Sequence, residues 1–179
     1  MTREMQILRR LRHPYVHCVI GHFQTGCSLV QVSDWFEGSP LEKCWHEMAK
    51  LFLADKVDLM AKITEGMAFC HSKGVFHRNM NAANILVSES FDDVRITGFD
   101  FAKDLELGST LTKKKMEGRD RRIIPPEELI KANDLNYRLY DIYQTGLLFY
   151  RIIENGAWPF ENTTDYMNTK GFTREVSNH

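Results

Sequence analysis

The polar side chains that could do chemistry are concentrated between residues 76 and 103. An apolar strand ends at Phe76 and runs into a loop whose polar residues are His77, Arg78, Asn79, Asn81 and Asn84. A second turn, with the sequence Gly98-Phe99-Asp100, follows two short β-branched strands. Asparagine amides form hydrogen bonds, but they are neutral and very poor bases. The loop can therefore bind polar groups, but its asparagines cannot serve as efficient bases.

This stretch resembles the catalytic loop and the metal-binding loop of eukaryotic-type protein kinases, whose patterns are H-R-D-x-x-x-x-x-N and D-F-G. The positions that match these patterns are His77, Arg78, Asn84 and Phe99. The resemblance extends from Arg3 to about Phe160. It implies an α+β, protein kinase-like fold in which a mostly helical C-lobe follows a partial N-lobe.

Three positions depart from the family pattern where the family carries ionised side chains. Asn79 replaces the catalytic Asp, Asn81 replaces a Lys that faces the γ-phosphate in Ser/Thr kinases, and Gly98 replaces the metal-binding Asp. Acid–base assistance contributes about a hundred- to ten-thousand-fold in rate. Mg²⁺ prefers carboxylate oxygens, and Asn84 alone would bind it weakly. The resemblance therefore implies a pseudokinase with no intact catalytic residue, in which ATP and Mg²⁺ bind weakly or not at all.

A second interpretation concerns Asp100. The sequence Asp100-Phe101-Ala102 can be read as a D-F-G motif shifted by two residues, which keeps each side chain on its face. The shift moves the carboxylate roughly 6–7 Å along the chain and leaves Ile96 out of register. In this interpretation Asn84 and Asp100 bind the metal, and the chain is a weakly active Ser/Thr kinase. Otherwise Asp100 is an exposed acid at the start of a loop.

Two further matches concern nucleotide binding. Residues 34–38 resemble the hinge whose backbone meets the adenine ring, which makes Asp34 and Phe36 candidate nucleotide contacts. Glu4 matches the C-helix acid that pairs with an ATP-binding Lys on a preceding strand. That strand and the glycine-rich loop would lie before Met1, so the chain is expected to be truncated. Without them, Glu4 is expected to be a solvated acid favoured by the helix dipole.

The remaining matches concern scaffold positions of the family. The resemblance implies that Leu8, His77 and Phe99 stack into a spine that links the lobes. Asp141 is expected to accept hydrogen bonds from backbone amides of the catalytic loop, and Gly146 to allow close backbone approach. Residues 125–127 resemble the A-P-E motif, which places Glu127 at its acid.

Hydrophobic periodicity predicts the elements that must position these residues. Helices are predicted over residues 3–12, 41–52, 55–73 and 141–155, and the resemblance implies a further short helix over residues 128–132. Asp55 is expected to cap the third helix, and Gly74 to end it. Residues 141–155 are nearly apolar on all sides, which predicts a helix buried in the core. Strands are predicted over residues 15–23 and 28–33, joined as a hairpin.

These elements predict a partial N-lobe over residues 1–33, a hinge over 34–38, a C-lobe core over 39–160 and a polar tail over 161–179. Residues 104–124 resemble an activation segment. Its conceivable phosphosites are Ser109, Thr110 and Thr112, and Arg78 is the basic partner that a phosphorylated segment would find. The other interpretation of this segment is a solvated loop with incidental charges.

Composition narrows the class of protein. A chain of 179 residues with 43% hydrophobic residues and a net charge of −1 can form one domain, and its charge does not favour nucleic acid or an anionic membrane. No apolar run is long enough for a membrane span. The cysteines are expected to be reduced thiols of a cytoplasmic protein; they are Cys18, Cys27, Cys44 and Cys70.

Three hypotheses about function follow. The first is a kinase-derived binding or regulatory module that docks a protein partner, such as an active kinase. The second is the weakly active enzyme that uses Asp100. The third is a truncated gene product without independent function, whose isolated chain would aggregate or lack a cooperative melt.

Overall fold

A computed structural model describes residues 3–107, 120–129 and 135–159 of the chain. The helices are α1 (Arg3–Leu8), α2 (Trp45–Met48), α3 (Leu53–Ser72), α4 (Pro126–Leu129) and α5 (Tyr137–Ile153). The strands are β1 (Val19–Thr25), β2 (Ser28–Ser33), β3 (Ser39–Pro40), β4 (Val75–Phe76), β5 (Ile85–Val87), β6 (Val94–Ile96) and β7 (Lys103–Asp104). Short 3-10 turns lie at Leu41–Lys43, Ala82–Asn84, Phe99–Phe101 and Arg121–Ile123. This mixture of helices and short strands confirms the predicted α+β class.

Strand pairing brings the two polar loops together. β5 pairs antiparallel with both β3 and β6, and β4 pairs antiparallel with β7. Residues 77–84 connect β4 to β5, and residues 97–102 connect β6 to β7. Both loops therefore begin and end on paired strands, so they lie side by side. β1 and β2 form a separate antiparallel hairpin.

Helix α3 lies beneath these loops. Its buried side chains include Leu59, Ile63, Met67 and Cys70, which share one face of the helix. Asp55 caps the start of the helix from its third position, where its carboxylate accepts a bond from the Phe52 amide at 3.1 Å. Gly74 follows the helix with φ +69°, as expected of a residue that ends it.

Helices α3 and α5 run antiparallel. The Lys56 ammonium, near the start of α3, donates to Ile153 O at 3.3 Å and to Asn155 Oδ1 at 2.6 Å, beyond the end of α5. At the other end, His71 bonds Asp141 at 2.7 Å. Lys56 is only 7% exposed. The two polar contacts fix the relative position of the helices along their length.

Helix α1 packs on the second loop. Leu8 is buried in the same core cluster as Phe99, and α1 contacts the turn Phe99–Phe101. Just after the helix, Arg10 forms ion pairs with the buried Asp104 and with Glu106. The apolar contact and the ion pairs hold the N-terminal segment against the chain that follows Gly98.

Several predicted bounds are corrected by tertiary contacts. The first helix ends at Leu8 rather than at residue 12, because the chain tightens into a turn with Leu11 N bonded to Leu8 O. The predicted helix over 41–52 is a 3-10 turn followed by α2, since Cys44 leaves the helical conformation with φ −109° and ψ 16°. The helix predicted over 128–132 is observed as α4 (Pro126–Leu129), with residues 130–132 outside the described part. β1 starts at Val19, because residues 15–17 bond Ile96 of β6 instead.

The predictions for α5 are wrong in two respects. The helix is not buried on all sides: Leu139 is 57% exposed, Ile142 55%, Tyr150 43% and Ile153 36%. Gly146 is exposed, and a Cβ added to it would meet nothing within 4 Å, so the expected close backbone approach is absent within the described chain. The apolar residues of the helix are simply divided between an inner and an outer face.

Some predictions fall outside the described residues. They include the conceivable phosphosites Ser109, Thr110 and Thr112, and the polar tail over residues 161–179. The domain boundaries at residues 33, 38 and 160 stay predictions. Among the helices that the structure describes, none is both long and apolar enough to cross a membrane.

Candidate functional site

His77 is the buried centre of the first loop. Its Nε2 donates to Thr97 O at 2.8 Å, and its Nδ1 accepts from the Asn79 amide at 3.2 Å. Its ring lies 4.6 Å from that of Phe99. Burial lowers the pKa of His77, although the nearby Asp141 opposes that shift. Both hydrogen bonds are satisfied by one neutral tautomer, so His77 joins the two loops without carrying a charge.

Asp141 holds the backbone of the same loop from below. Its carboxylate accepts from His77 N at 2.9 Å and from Arg78 N at 2.7 Å, and His71 bonds it at 2.7 Å. These are the amide bonds that the resemblance predicts for Asp141. Arg78 has φ +64°, a conformation that is costly for a side chain of this size. The fully buried carboxylate therefore stabilises a strained turn.

Gln144 is a site residue that the sequence analysis missed. It is completely buried, and its Oε1 accepts from Met80 N at 2.9 Å. Its Nε2 donates to Ile123 O at 3.0 Å and lies 3.4 Å from Arg78 O. The signal was available, because Asp141 and Gln144 are polar residues three apart on one face of an apolar helix. Gln144 thus ties the first loop to residues 121–123.

The three asparagines bond one another. Asn79 O accepts from Asn81 Nδ2 at 3.0 Å and from Asn84 Nδ2 at 2.8 Å. Asn81 Nδ2 also lies 3.2 Å from Asn79 Oδ1, and Asn81 Oδ1 accepts from Ala83 N at 2.9 Å. The last bond caps the short turn Ala82–Asn84. The amides of the three asparagines thus satisfy one another without any ionised side chain.

Gly98 lies directly against Asn84. Its φ is +76°, and a Cβ added to it would lie 2.8 Å from Asn84 Nδ2 and closer still to Asn84 Oδ1. The backbone holds this arrangement, since Thr97 N donates to Asn84 O at 2.9 Å. The strands are in the unshifted register, with the buried Ile96 opposite Ile85. Gly98 therefore adjoins Asn84, while Asp100 is exposed on the turn two residues further on.

The candidate hinge residues, Asp34 and Phe36, contact residues outside the two polar loops. Asp34 is exposed, and its amide donates to Cys18 O at 3.0 Å. The ring of Phe36 lies 5.3 Å from the guanidinium of Arg95 on β6. Burial lowers the pKa of His17, while the Asp34 carboxylate opposes that shift. A nucleotide-binding role for Asp34 and Phe36 stays a prediction.

The other scaffold positions are divided between core and surface. Leu8 is buried, whereas Glu4 lies half-buried in the first turn of α1 rather than fully solvated. The Arg78 guanidinium lies 5.1 Å from the centre of the Tyr137 ring. Glu127 is exposed; the adjacent Glu128 instead accepts from the Tyr140 hydroxyl at 2.6 Å.

The described residues contain no group of three or more His, Cys, Asp or Glu side chains that could hold a metal ion. Between the first loop and α5, a cavity of ≈ 10 Å³ is lined by residues that include Met80, Ile123 and Trp158. A cavity of this size holds about one water molecule at most.

Comparison with known proteins identifies the family of this chain. The family model described as "Protein kinase domain" matches residues 1–178. The chain is 26% identical over 164 residues to Serine/threonine-protein kinase 36 of Pongo abelii, covering 92% of this chain and 12% of that protein. It is 25% identical over 168 residues to Tyrosine-protein kinase FRK of Homo sapiens, covering 90% of this chain and 32% of that protein.

A third relative is the RAF proto-oncogene serine/threonine-protein kinase of Xenopus laevis, which is 28% identical over 167 residues. The match covers 90% of this chain and 25% of that protein. The chain thus spans between about an eighth and a third of the length of these three relatives. With the family model matching from residue 1 to residue 178, the chain belongs to the protein kinase domain family.

Proposed function

We propose that this chain is a protein kinase-family domain that does not transfer phosphate and acts by binding a protein partner. The observation that carries the proposal is the packing of Asn79, Asn81, Asn84 and Gly98 into one neutral cluster. Phosphoryl transfer in this family depends on positioned carboxylates and a metal that neutralises phosphate charge. The cluster contains hydrogen-bonded neutral amides and offers neither a carboxylate nor a metal site.

The donor set does not fit Mg²⁺. Asn84 offers one neutral oxygen, and its Nδ2 is already bonded to Asn79 O. Gly98 offers no side chain, and the carboxylate of Asp100 belongs to an exposed residue two positions away. Hard cations need several oxygen ligands, including carboxylates. We therefore expect ATP to bind weakly, if it binds at all, and without the metal.

What the chain keeps are the bonds that shape the loop. Asp141, Gln144 and His77 hold its backbone through buried hydrogen bonds, none of which requires a metal or a phosphate. The loop held in this way exposes Ala83, and it exposes Asn79, Asn81 and Asn84 in part, in a fixed conformation. Such a surface suits the docking of another protein, and an active protein kinase is the partner class that we propose first.

The catalytic part of the proposal is tested by incubating the purified chain with Mg²⁺ and γ-labelled ATP, with and without a generic protein substrate. We expect no transfer of label and no rise in melting temperature with Mg·ATP, since a ligand stabilises the folded state only by mass action. Metal-dependent transfer by the chain would contradict the proposal. If Asp100→Ala then abolished that transfer, the weakly active kinase would be the correct function.

The binding part is tested by titrating the chain into purified active protein kinase domains and measuring both affinity and phosphotransfer rate. We expect saturable binding that changes the rate of at least one kinase. The triple variant Asn79→Ala/Asn81→Ala/Asn84→Ala, which dismantles the cluster, is the matched comparison. Absence of binding by the folded chain across the kinases tested would contradict this choice of partner.

A further inference from the structure

The side chain of Arg151 lies in a cluster of aromatic and charged groups near the end of α5. Its guanidinium carbon lies 4.1 Å from the centre of the Trp158 ring and 4.8 Å from the centre of the Trp45 ring. The guanidinium carbon of Arg122 lies 4.1 Å from the centre of the same Trp158 ring. A guanidinium group over an aromatic ring is attracted to the negative face of that ring. We call these four side chains the Arg151 cluster.

The turn after α5 fixes the position of Arg151 within this cluster. Arg151 Nε donates to Gly156 O at 3.1 Å, and Gly156 N donates to Arg151 O at 2.7 Å. Gly156 also packs closely on Trp45, since a Cβ added to Gly156 would lie 2.7 Å from Cγ of that ring. Two rings and one hydrogen bond therefore hold the guanidinium group in place before any ligand binds. A group fixed in this way loses less conformational entropy on binding.

Arg151 has hydrogen-bond donors for which the described chain offers no acceptor. Its Nε is bonded to Gly156 O, but neither of its terminal nitrogens donates to a described residue. These two nitrogens are not among the fully buried side-chain atoms that lack a partner, so both are open to solvent. Arg122, in contrast, is paired with Asp120, through Nε at 3.1 Å and Nη2 at 2.7 Å. The free donors of the cluster therefore belong to Arg151.

The charges around Arg151 do not include a counterion in direct contact with it. No carboxylate of residues 3–107, 120–129 and 135–159 forms an ion pair with Arg151. Burial lowers the pKa of Arg151, and the neighbouring Arg122 lowers it further, while Asp120 and the exposed Glu42 act in the opposite direction. A negative charge in contact with Arg151 would favour its charged form. The cluster is therefore suited to an anionic ligand.

We propose that Arg151 binds the carboxylate of a glutamate or aspartate side chain in a protein partner. A carboxylate accepts two parallel bonds from a guanidinium group, and Asp120 already forms this geometry with Arg122. A phosphate group would bring a second negative charge toward Asp120 and Glu42, so the cluster favours a ligand with a single charge.

The position of Arg151 relates this site to the candidate functional site. Arg151 and Trp158 line the same small cavity as Asn81, so the carboxylate site adjoins the asparagine cluster. A partner segment that contacts Asn81 can therefore place an acidic side chain on Arg151. The inference rests on the part of the proposed function that concerns protein binding, and it specifies the chemistry of the segment that binds.

The site is tested by titrating the whole chain with a short blocked peptide of alternating glutamate and glycine, followed by nuclear magnetic resonance. We expect saturable shifts of the Arg151 Nε–H signal and of the indole N–H signals of Trp45 and Trp158. The indole signal of Trp35, which is 90% exposed, is the internal control and should not shift. The same peptide with glutamine in place of glutamate should cause none of these shifts. Absence of a saturable shift at Arg151 would overturn the inference.

Variants identify the group that binds the peptide. Arg151→Gln should raise the dissociation constant roughly tenfold or more, because a hydrogen-bonded charge is lost. Arg151→Lys should also weaken binding, since it keeps the charge but not the planar pair of donors. The matched control is Arg138→Gln, which removes the same charge from an exposed position of the same helix and should leave the affinity unchanged. A thermal melt of each variant verifies that it is folded.

Three results would contradict the inference. Equal losses of affinity in Arg151→Gln and Arg138→Gln would show that only the overall charge matters. Tighter binding of a peptide with phosphoserine in place of glutamate would overturn the choice of a carboxylate. Failure of the glutamate peptide to bind a chain that does bind an active kinase would overturn this inference and leave the proposed function in place.

Discussion

At the scale of single residues, the decisive contact is between Gly98 and Asn84. The backbone at residue 98 has φ +76°, and the space that its side chain would enter is filled by the Asn84 amide. Residues other than glycine are disfavoured in this left-handed region. The overlap of an added side chain with the Asn84 amide would disfavour them further. The glycine at residue 98 and the position of Asn84 are therefore coupled.

This coupling predicts the effect of introducing a carboxylate at residue 98. Gly98→Asp should lower the free energy of unfolding by about 2–3 kcal/mol, the sum of backbone strain and crowding. The matched control is Gly26→Asp in the β1–β2 turn, which has φ +55° but nothing within 4 Å. Gly26→Asp should lower the free energy of unfolding by about 1 kcal/mol, from backbone strain alone. Urea denaturation measures both losses, and equal losses would show that Asn84 is no obstacle.

His77 predicts how stability depends on pH. Because burial lowers its pKa below 6.5 in the folded chain, the unfolded chain binds a proton that the folded chain does not. The free energy of unfolding should therefore decrease as the pH falls through about 6.5. His77→Phe should flatten this decrease, although it also lowers stability by leaving Thr97 O and Asn79 N without their ring partners.

The half-buried His17, whose pKa is also lowered, adds to the decrease in the same direction. The control is Gln31→Asn, an exchange of non-titrating side chains at an exposed position of β2, which should leave the slope of stability against pH unchanged. Stability that does not depend on pH between 5 and 7 would contradict the neutral state of His77.

At the scale of elements, α5 is the support of the candidate site. Its inner face presents Asp141 and Gln144 to the backbone of the first loop, and it holds residues 121–123 through the same Gln144 side chain. Each of these backbone groups is buried, so each needs its partner. One helix face therefore sets the shape of the loop and of the segment after residue 120.

Asp141→Asn tests this support. The carboxylate accepts two backbone N–H groups and His71, whereas an amide must turn its NH₂ group toward one of these donors. We expect a loss of about 3 kcal/mol in the free energy of unfolding, as is typical when a buried charged hydrogen-bond network is broken. The control is Asp58→Asn on α3, where the exposed pair with Lys62 should contribute no more than about 0.5 kcal/mol.

Helices and strands were predicted well from the sequence where the local hydrophobic pattern determines their bounds. The bounds of β2 and the approximate extent of α3 follow from alternation and helical periodicity, and the order of the loops follows from the family pattern. Prediction failed where contacts between residues far apart in the sequence determine the bounds of an element. The break at Cys44 precedes Trp45, which lies 4.8 Å from the Arg151 guanidinium of α5, and no local pattern signals that neighbour.

The candidate site was predictable in its positions but not in its packing. Spacing identified Asn79, Asn81, Asn84 and Gly98, because the family pattern is a pattern of positions. Their mutual bonds depend on the pairing of β5 with β6, which brings Gly98 onto Asn84. Gln144 was missed because its partners lie 64, 66 and 21 residues away in the chain.

At the scale of the whole molecule, one apolar core joins α1, α3, the β5–β6 strands and α5. The β1–β2 hairpin stands largely outside it. Phe23 is 53% exposed, Ile20 63% and Leu29 38%, while Ile85, Val94 and Ile96 of the β5–β6 pair are fully buried. Regions with little buried apolar surface open at lower free energy than the core does.

This difference predicts the pattern of hydrogen exchange. Backbone amides that bond within β1–β2 should exchange much faster than those within β5–β6, because the hairpin can open without disturbing the core. Mass spectrometry of exchanged peptides measures both regions in one experiment. Protection of the hairpin equal to that of β5–β6 would show that a further contact covers it.

The contact of Gly98 with Asn84 also gives sequence change a preferred direction. Removing a side chain at position 98 leaves room into which a neighbouring amide can settle, and the backbone can then relax into a conformation that suits glycine. Introducing a side chain at that position in one step would leave the chain both strained and crowded. Loss of a side chain here is therefore the easier step and its reintroduction the harder one, so the packing of Asn84 favours glycine at position 98 over any larger residue.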